Sequence, residues 1–250
     1  MIRTRNLTKK FAEKIAVNNL NLQIDAGEIY GFLGPNGAGK TTTIKMLTGI
    51  LYPTSGEISI MGKNIRKHEL EIKRAIGVVP DEPRMYHDLR GKEFVSFIMD
   101  IYDVDREEAK KRFDEICDVF DIDYLDEFIG EYSHGMSQKL MVATVLMRKP
   151  KVLFLDEPTV GLDARSARVL KMLLRKYADE GSTIFMTTHI LEIAEKMCER
   201  IGIINEGDLI AEGTLDELRA SGGKGEHLED IFLSLTGAND EEMKEIVEGL

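Results

Sequence analysis

One octapeptide constrains this chain more than any other part of its sequence. Residues 34–41 read GPNGAGKT and fit the pattern G-x-x-x-x-G-K-[ST], between an apolar segment (28–34) and a stretch of helical character (40–48). Glycines at this spacing let backbone N–H groups surround a phosphate, and the N-terminus of the following helix adds partial positive charge. The pattern predicts a strand–loop–helix unit that binds a nucleoside triphosphate, in preference to a glycine-rich turn with an incidental lysine.

The whole loop is therefore the first candidate site. Lys40 should reach the β- and γ-phosphates of a nucleotide, and the hydroxyl of Thr41 should ligate Mg²⁺. The candidate nucleotide-binding residues here are Gly34, Pro35, Asn36, Gly37, Ala38, Gly39, Lys40, Thr41 and Thr42.

Two carboxylates end an apolar segment later in the chain. Asp156 and Glu157 follow the run KVLFL (151–155), which is typical of a strand buried on both faces of a parallel sheet. Because ligands bind outside the carboxyl ends of parallel strands, both side chains should face the same crevice as the loop. Asp156 suits a role at Mg²⁺, and Glu157 is placed to polarise a water that attacks the γ-phosphate. The alternative is a capped strand end with a solvated acidic pair.

His189 ends another apolar segment, STIFMTT, and is a third polar group predicted at that edge of the sheet. A lone histidine at a strand end is more often structural than catalytic. The residue pattern alone leaves both roles open.

Apolar segments alternate with helical stretches over most of the chain, which predicts an α/β fold with a parallel sheet and right-handed crossovers. Residues 81–148 differ, because nine of the 17 aromatic residues lie between 81 and 135. A stripe at helical spacing (Phe94, Phe97, Ile98 and Ile101) predicts an inserted helical subdomain with this stripe in its core. LNLQI (Leu20–Ile24) is predicted as one strand. Residues 214–250 are predicted to be a helical acidic tail, either an accessory element or a solvated end, with SGGKG (221–225) as its linker-like stretch.

Charge and composition exclude several classes of function. The net charge of −11 argues against binding nucleic acid or anionic lipid through the whole surface. Cys117 and Cys198 lie far apart and are predicted to be free thiols in a reducing cytoplasm. The longest mainly apolar run, 140–147, is far shorter than the roughly 18 to 20 residues that cross a bilayer. We therefore expect any action at a membrane to require a partner.

Taken together, these motifs resemble the nucleotide-binding subunit of an ATP-binding cassette (ABC) transporter over about residues 2–213. GPNGAGKT is similar to the family's phosphate loop, YSHGMSQ (132–138) to its signature, usually LSGGQ, and LFLDEPTVGLD to its Walker B segment and D-loop. The resemblance implies a P-loop NTPase core with an N-terminal antiparallel β subdomain, residues 1–213 being the ATPase domain.

The resemblance also implies roles for individual residues. Glu157 and His189 become catalytic candidates, His189 as the switch histidine, and Asp156 becomes the Walker B aspartate. Phe11 resembles the aromatic that stacks on adenine, and Asp163 the D-loop aspartate. Subunits of this family pair head to tail, so Ser133 and the N–H of Gly135 should contact a γ-phosphate bound by the partner copy.

Three residues or pairs depart from the family pattern. His134 and Met136 replace a glycine and a glutamine of the signature, which predicts a working but differently tuned site. Asp81 stands where the family has glutamine; either it ligates the metal more strongly, or the loop shifts and Glu82 takes its place. Phe11 replaces the commoner tyrosine and keeps the aromatic face.

The resemblance implies ATP and Mg²⁺ as cofactors and a separate transmembrane permease as partner. The ATPase partner is a second copy or a related subunit, so homodimer and heterodimer both stay open. Met85 and Tyr86 are candidate permease contacts beside the helical subdomain. LEDIFLSLTG (228–237) resembles the tail of ATPases that drive drug, lipid or polysaccharide exporters. The implied place is the cytoplasm, at the inner face of the cell membrane through the permease; alternatives are a soluble ABC-type ATPase, or a nucleotide switch or kinase.

Overall fold

The computed structural model describes residues 1–222 and 228–236, which form a sheet-and-helix architecture. The strands are β1 (Ile2–Phe11), β2 (Lys14–Leu20), β3 (Gln23–Ile24), β4 (Ile29–Leu33), β5 (Ser55–Ile60), β6 (Lys63–Asn64), β7 (Ile76–Val79), β8 (Val152–Asp156), β9 (Thr183–Thr188), β10 (Arg200–Asn205) and β11 (Asp208–Thr214). The helices are α1 (Lys40–Leu47), α2 (Glu69–Ala75), α3 (Gly91–Tyr102), α4 (Arg106–Phe120), α5 (His134–Leu146), α6 (Ala164–Asp179), α7 (Leu191–Met197), α8 (Leu215–Gly222) and α9 (Leu228–Thr236), with a short 3-10 helix at Ile129–Glu131.

The central sheet has the strand order β11-β10-β4-β9-β8-β7. Every residue of β4, β8 and β9 is buried, as continuous apolar runs predict for inner strands covered on both faces. The predicted α/β class is confirmed, but the sheet is mixed, because β11 pairs antiparallel with β10. The missed signal for this hairpin is the turn Glu206-Gly207, whose two residues have φ of 48° and 90°.

A second, antiparallel sheet holds β2, β1, β5 and β6 in that order, with β3 paired to β1. The prediction of one strand over Leu20–Ile24 is wrong, because β2 ends at Leu20 and β3 begins at Gln23. Asn19 has a φ of 46°, which turns the chain, and the N–H of Leu22 donates to the side-chain hydroxyl of Thr4 at 2.8 Å instead of to a backbone carbonyl of a strand. This sheet packs on one face of the central sheet through Leu7, Val17 and Ile58.

The helices α3, α4 and α5 follow β7 and precede β8 in the sequence. They cover the other face of the central sheet, with Phe94 and Phe113 in the shared core. The prediction that Phe97 and Ile101 belong to this core is wrong, because they are 38% and 57% exposed. The reason is that the side of α3 with Phe94, Val95 and Met99 packs into the core, which leaves Phe97 and Ile101 facing solvent.

The C-terminal helices lie against the end of the central sheet where β10 and β11 run. Leu218 of α8 and Leu228 of α9 are buried in a cluster with Ala194 of α7 and Ile203 of β10. The predictions for residues 223–227 and 237–250 concern parts outside the described residues. Among the described helices, none combines the length and the apolar character that crossing a lipid bilayer requires.

Candidate nucleotide-binding site

The phosphate loop follows β4 and ends in α1, in close contact with two other strands. A Cβ on Gly34 would lie 2.4 Å from the carbonyl oxygen of Ile204, and one on Gly39 would lie 2.4 Å from that of Ala16. Gly39 also has a φ of +114°, which a side chain would strain. Gly37, at +82°, faces open space instead. The glycines therefore hold the loop's base against β10 and β2 and leave its tip free.

Lys40 is the charged centre of the loop. Its side chain is 7% exposed, and its ammonium donates to the carbonyl oxygens of Gly34 at 2.7 Å and Pro35 at 3.2 Å. The same nitrogen lies 3.4 Å from Oε1 of Glu157. Thr41 is exposed at the start of α1, and Thr42 is half-buried. One buried cation thus joins the loop to the end of β8.

The carboxylates of Asp156, which ends β8, and of Glu157, which follows it, are both buried. Oδ1 of Asp156 accepts a hydrogen bond from the Thr187 hydroxyl of β9 at 2.5 Å. Glu157 has a φ of 49°, which is uncommon for this residue type, and its N–H donates to the same hydroxyl at 3.1 Å. Such backbone strain is typical of functional positions that the surrounding structure holds in place. The structure thus aims both carboxylates at the sheet edge.

His189 follows β9 at the same edge and contacts Glu157 twice. Its Nδ1 lies 2.9 Å from Oε1 of Glu157, and its backbone N–H donates to Oε2 at 3.3 Å. The strands β8 and β9 are parallel neighbours with Asp156 opposite Thr187, so the residues that follow them meet. Lys40, Glu157 and His189 therefore form one connected cluster, which we call the catalytic-edge cluster.

Asp81 follows β7 at the same edge and is exposed. Partial burial, followed by the negative charges of Asp156, Glu157 and Glu82, raises the pKa of its carboxyl group, and His134 opposes this effect. The loop after β7 thus brings the Asp81 carboxylate close enough to Asp156 and Glu157 for their negative charges to raise its pKa. Such crowding of acidic oxygens favours a bound cation.

The signature-like segment caps α5. The hydroxyl of Ser133 accepts from the N–H of Met136 at 3.2 Å, as a helix N-cap does. A Cβ on Gly135 would lie 2.7 Å from the carbonyl oxygen of Gly161, and a Cβ on Gly161 would lie 2.2 Å from the ring of His134. Ser133 and His134 are exposed and the start of α5 packs against the loop before α6, so this helix N-terminus faces outward.

Asp163 and Phe11 lie on two other elements of the structure, at the start of α6 and the end of β1. Asp163 caps α6, accepting from the N–H and the hydroxyl of Ser166 at 2.8 Å each; these bonds, with the nearby Lys139, lower the pKa of its carboxyl group. Phe11 ends β1 with 47% of its surface exposed, and the ammonium of Lys9 lies 4.9 Å from its ring centre. The hairpin of β1 and β2 meets the phosphate loop at Ala16, so Phe11 is on an element attached to that loop.

The comparisons with known proteins agree with this geometry. A family model described as ABC transporter matches residues 17–160, more than half of the chain. The chain belongs to the ABC transporter family. The bacitracin transport ATP-binding protein BcrA of Bacillus licheniformis is 39% identical over 221 residues, 88% of this chain and 71% of that protein. The linearmycin resistance ATP-binding protein LnrL of Bacillus subtilis is 35% identical over 241 residues, 96% of this chain and 76% of that protein.

Solved structures of the family superpose closely on this chain. An ATP-binding subunit of an ABC transporter has a TM-score of 0.90 at 29% identity and covers 94% of this chain and 99% of its own. The dimeric ATP-binding cassette MJ0796, in a post-hydrolysis state with ADP and Pi, has a TM-score of 0.75 at 27% identity, with 86% and 98% covered. The predicted P-loop NTPase fold and the ATPase class are thereby confirmed, and the chain is an ATP-binding subunit of an ABC transporter.

A residue to which the sequence analysis gave no role also links the two halves of this ABC site. Gln138 of α5 is fully buried, and its amide nitrogen donates to the carbonyl oxygen of Pro158 at 3.3 Å. It therefore ties the signature helix to the segment that follows Glu157. Its signal in the sequence was its place on the helix face of Val142 and Val145, four and seven residues later, where a polar residue needs a buried partner.

The residues present fit a nucleotide with Mg²⁺. The open tip at Gly37 leaves room at the loop, and Lys40 supplies the cation that a triphosphate needs. The hydroxyl of Thr41 and the carboxylates of Asp156 and Asp81 are hard oxygen donors of the kind that Mg²⁺ prefers. Among the described residues, no group of three or more His, Cys, Asp and Glu side chains is arranged to hold a metal by itself.

Proposed function

We propose that this chain is the ATP-hydrolysing subunit of an ABC exporter and works as a head-to-tail pair that encloses two ATP molecules. The observation that carries the proposal is the division of the site within one copy. The catalytic-edge cluster is connected by contacts of 2.9 to 3.4 Å, whereas the Ser133 hydroxyl, among residues 1–222 and 228–236, is engaged only in capping its own helix. A second copy supplies the missing half.

Within one copy, each residue of the cluster has a distinct task. Lys40 turns its ammonium from the loop carbonyls toward the phosphates. The carboxylate of Glu157 orients and polarises the attacking water, and His189 holds that carboxylate through its ring and its backbone N–H. Thr41 and Asp156, with Asp81 as a further candidate, would hold Mg²⁺, which would supply charge neutralisation at the phosphates.

The second copy contributes its signature segment. The N–H of Gly135 lies in the first turn of α5, where backbone N–H groups and the helix dipole favour an anion. Ser133 and this N–H therefore contact the γ-phosphate across the interface, with Asp163 beside it. Phe11 stacks on the adenine base. Hydrolysis breaks the bond between the β- and γ-phosphates, and the pair opens when the phosphate that bridged the two copies leaves.

An exposed apolar surface beside the helical subdomain is the permease contact of this proposal. Tyr86 is 60% exposed and lies edge-on against Phe97 at 5.6 Å between ring centres, with Ile101 nearby on α3. Met85, the other candidate from the sequence, is 9% exposed and belongs to the core, so we assign the contact to Tyr86. Aromatic side chains of this kind are typical anchors of protein interfaces.

The direction of transport follows from relatives named for bacitracin transport and linearmycin resistance, which suit export. The chain would act at the inner face of the cell membrane through its permease. The pair is built either from two copies or with a related ATPase subunit. The net charge of −11 supports neither nucleic acid nor lipid as a direct partner.

Two measurements test the proposal. First, phosphate release per subunit should fall on dilution, because the pair dissociates; full activity that is independent of dilution contradicts the shared site. Second, cross-linking in membranes should recover a permease, and Phe97→Ser with Tyr86→Ser should reduce the recovery at least about fivefold. Met172→Ser, at a residue that is 65% exposed on α6, is the matched control. Recovery of only soluble or ribosomal partners contradicts the transport role.

A further inference from the structure

Gln138 joins helix α5 to the backbone that directly follows Glu157. Its side chain is fully buried, and its amide nitrogen donates to the carbonyl oxygen of Pro158 at 3.3 Å. Within residues 1–222 and 228–236, no other hydrogen bond is made to that carbonyl. Its attachment to the signature helix therefore depends on a single amide group.

Glu157 is held on its other side by β9. Its N–H donates to the hydroxyl of Thr187 at 3.1 Å and to the carbonyl oxygen of the same residue at 3.3 Å. Its φ of 49° is a strained conformation of the kind that persists only where the surrounding structure holds it in place. The strained residue thus lies between two attachments, one to β9 at its own N–H and one to Gln138 at the next carbonyl.

Pro158 is coupled closely to the backbone of Glu157. The proline ring fixes φ at about −65°, so the carbonyl carbon of Pro158 cannot turn freely relative to the peptide bond that begins at Glu157. The N–H of Val160 also donates to the carbonyl oxygen of Glu157 at 3.1 Å, which closes a turn over the same residues. A displacement of the Pro158 carbonyl therefore shifts the backbone of Glu157, and with it the carboxylate at the centre of the catalytic-edge cluster.

The oxygen of the Gln138 amide shows that packing does not explain this residue. Oε1 is buried and accepts no hydrogen bond from residues 1–222 or 228–236, and the hydroxyl of Thr159, the residue after Pro158, is likewise buried and unpaired there. A buried polar atom without a partner costs stability, and an apolar side chain of similar size, such as methionine, would avoid that cost. An amide at this position is therefore explained by what its nitrogen holds.

We propose that Gln138 is a positioning residue for the ATPase reaction: through the Pro158 carbonyl it holds the backbone of Glu157, so that the carboxylate stays aimed at the attacking water. The inference rests on the proposed function, in which Glu157 polarises that water. Misplacing a reacting group by about 1 Å can cost about 10²-fold in rate. Gln138 acts only through the backbone of Glu157, because its own side chain is fully buried.

Steady-state turnover of Gln138→Met in the full chain tests this role. Methionine fills a similar volume without an N–H, so kcat should fall about 10- to 100-fold while KM for ATP stays within about twofold. The urea midpoint of the same sample should stay close to that of the parent chain, because the unpaired oxygen is removed together with the hydrogen bond. Thr144→Val is the matched control, since it removes a buried hydroxyl of the same helix that donates to the carbonyl oxygen of Met141 at 2.8 Å. An unchanged kcat for Gln138→Met, or a fall that Thr144→Val reproduces, overturns the inference.

A double variant shows whether Gln138 acts through Glu157. Glu157→Gln with Gln138→Met should be no more than about twofold slower than Glu157→Gln alone, and should form the ATP-bound pair on size exclusion to the same extent. A larger further fall, or loss of the pair, means that Gln138 acts elsewhere, such as through the signature-like segment, and overturns the inference. Parent turnover in Glu157→Gln overturns the proposed role of Glu157 itself, whereas a slow Glu157→Gln beside a parent-rate Gln138→Met overturns the inference alone.

Discussion

The two sides of the nucleotide site are built differently. On the phosphate-loop side, Lys40, Glu157 and His189 are linked by direct contacts, and the Asp156 and Glu157 side chains are both buried. On the signature side, Ser133 is exposed on a helix N-terminus. The first side is held by strands of the central sheet, and the second by the helical subdomain that packs on it.

This difference shows why the buried charged groups lie on the central sheet and the exposed helix N-terminus lies on the helical subdomain. Buried charges need partners, and neighbouring parallel strands place the groups that follow them side by side. An exposed helix N-terminus needs only its cap, because water satisfies its remaining N–H groups until an anion replaces the water. One side can therefore be complete in a single copy, while the other, in the pair that we propose, is completed by a ligand bound to the partner copy.

The largest effect should come from removing the charge of Glu157, which lies at the centre of the phosphate-loop side. Glu157→Gln should slow hydrolysis by about 10² to 10³, or about 3 to 4 kcal/mol of barrier, while ATP still binds. The reason is that the amide keeps the shape but accepts a proton poorly. Phosphate release gives the rate, and size exclusion with ATP should show a trapped dimer. Only monomer at high protein concentration would count against the paired site.

A bulky residue on the signature side should affect only the ATP that is bound by the partner copy. Ser133→Arg should reduce turnover by about 10²-fold or more and leave nucleotide affinity of the monomer within about twofold, since the contact is made to ATP on the partner. Loss of the helix cap should cost about 1 kcal/mol of stability. Ser133→Thr, which keeps a capping hydroxyl, is the control. A collapse of monomer affinity, measured by calorimetry, would show that the contact lies within one copy.

The loop's base and tip should respond differently to the same added methyl group. Gly39→Ala should lower the free energy of unfolding by about 2 to 4 kcal/mol, because its Cβ would lie 2.4 Å from a backbone oxygen at a strained φ. Gly37→Ala should lower it by about 1 kcal/mol, since only the strain applies there. Urea unfolding measures both. Equal losses would mean that the loop is not held against β2.

The smallest effect should be the pH dependence of Asp81. Its pKa is raised in the folded chain, so the carboxylate destabilises the fold as pH rises from the unfolded pKa through the folded one. Asp81→Asn should therefore leave stability unchanged at low pH and raise it near pH 7, by less than about 1 kcal/mol because the side chain is exposed. Urea unfolding across pH measures the difference.

The pKa of Asp163 shifts in the opposite direction from that of Asp81, so its pH dependence should have the opposite sign. Its pKa is lowered by the bonds from Ser166, so its carboxylate contributes stability that is present above the unfolded pKa and lost as pH falls through the folded one. Asp163→Asn keeps a good helix cap but should lower stability near pH 7. A gain in stability for this variant would contradict the assigned cause.

Much of the site could be predicted because its residues follow strands. A continuous apolar run predicts a buried strand whatever packs on it, and parallel neighbours put the groups after them at one edge. That reasoning brought Asp156, Glu157 and the phosphate loop together before any coordinates. The bond between His189 and Glu157 was beyond it, because the order of β9 beside β8 depends on the whole sheet.

By itself the sequence determined the phosphate loop, the inner strands and the helical character of 81–148, since each depends on local pattern and spacing. Only the tertiary structure decided which side of α3 is buried, so that Phe97 lies at the surface. It also decided that Met85, in the loop before α3, belongs to the core. It alone placed Gln138 against Pro158 and added β11 to the sheet edge. The reason is that periodicity shows which residues share a face, whereas the packing of distant segments decides which face meets water.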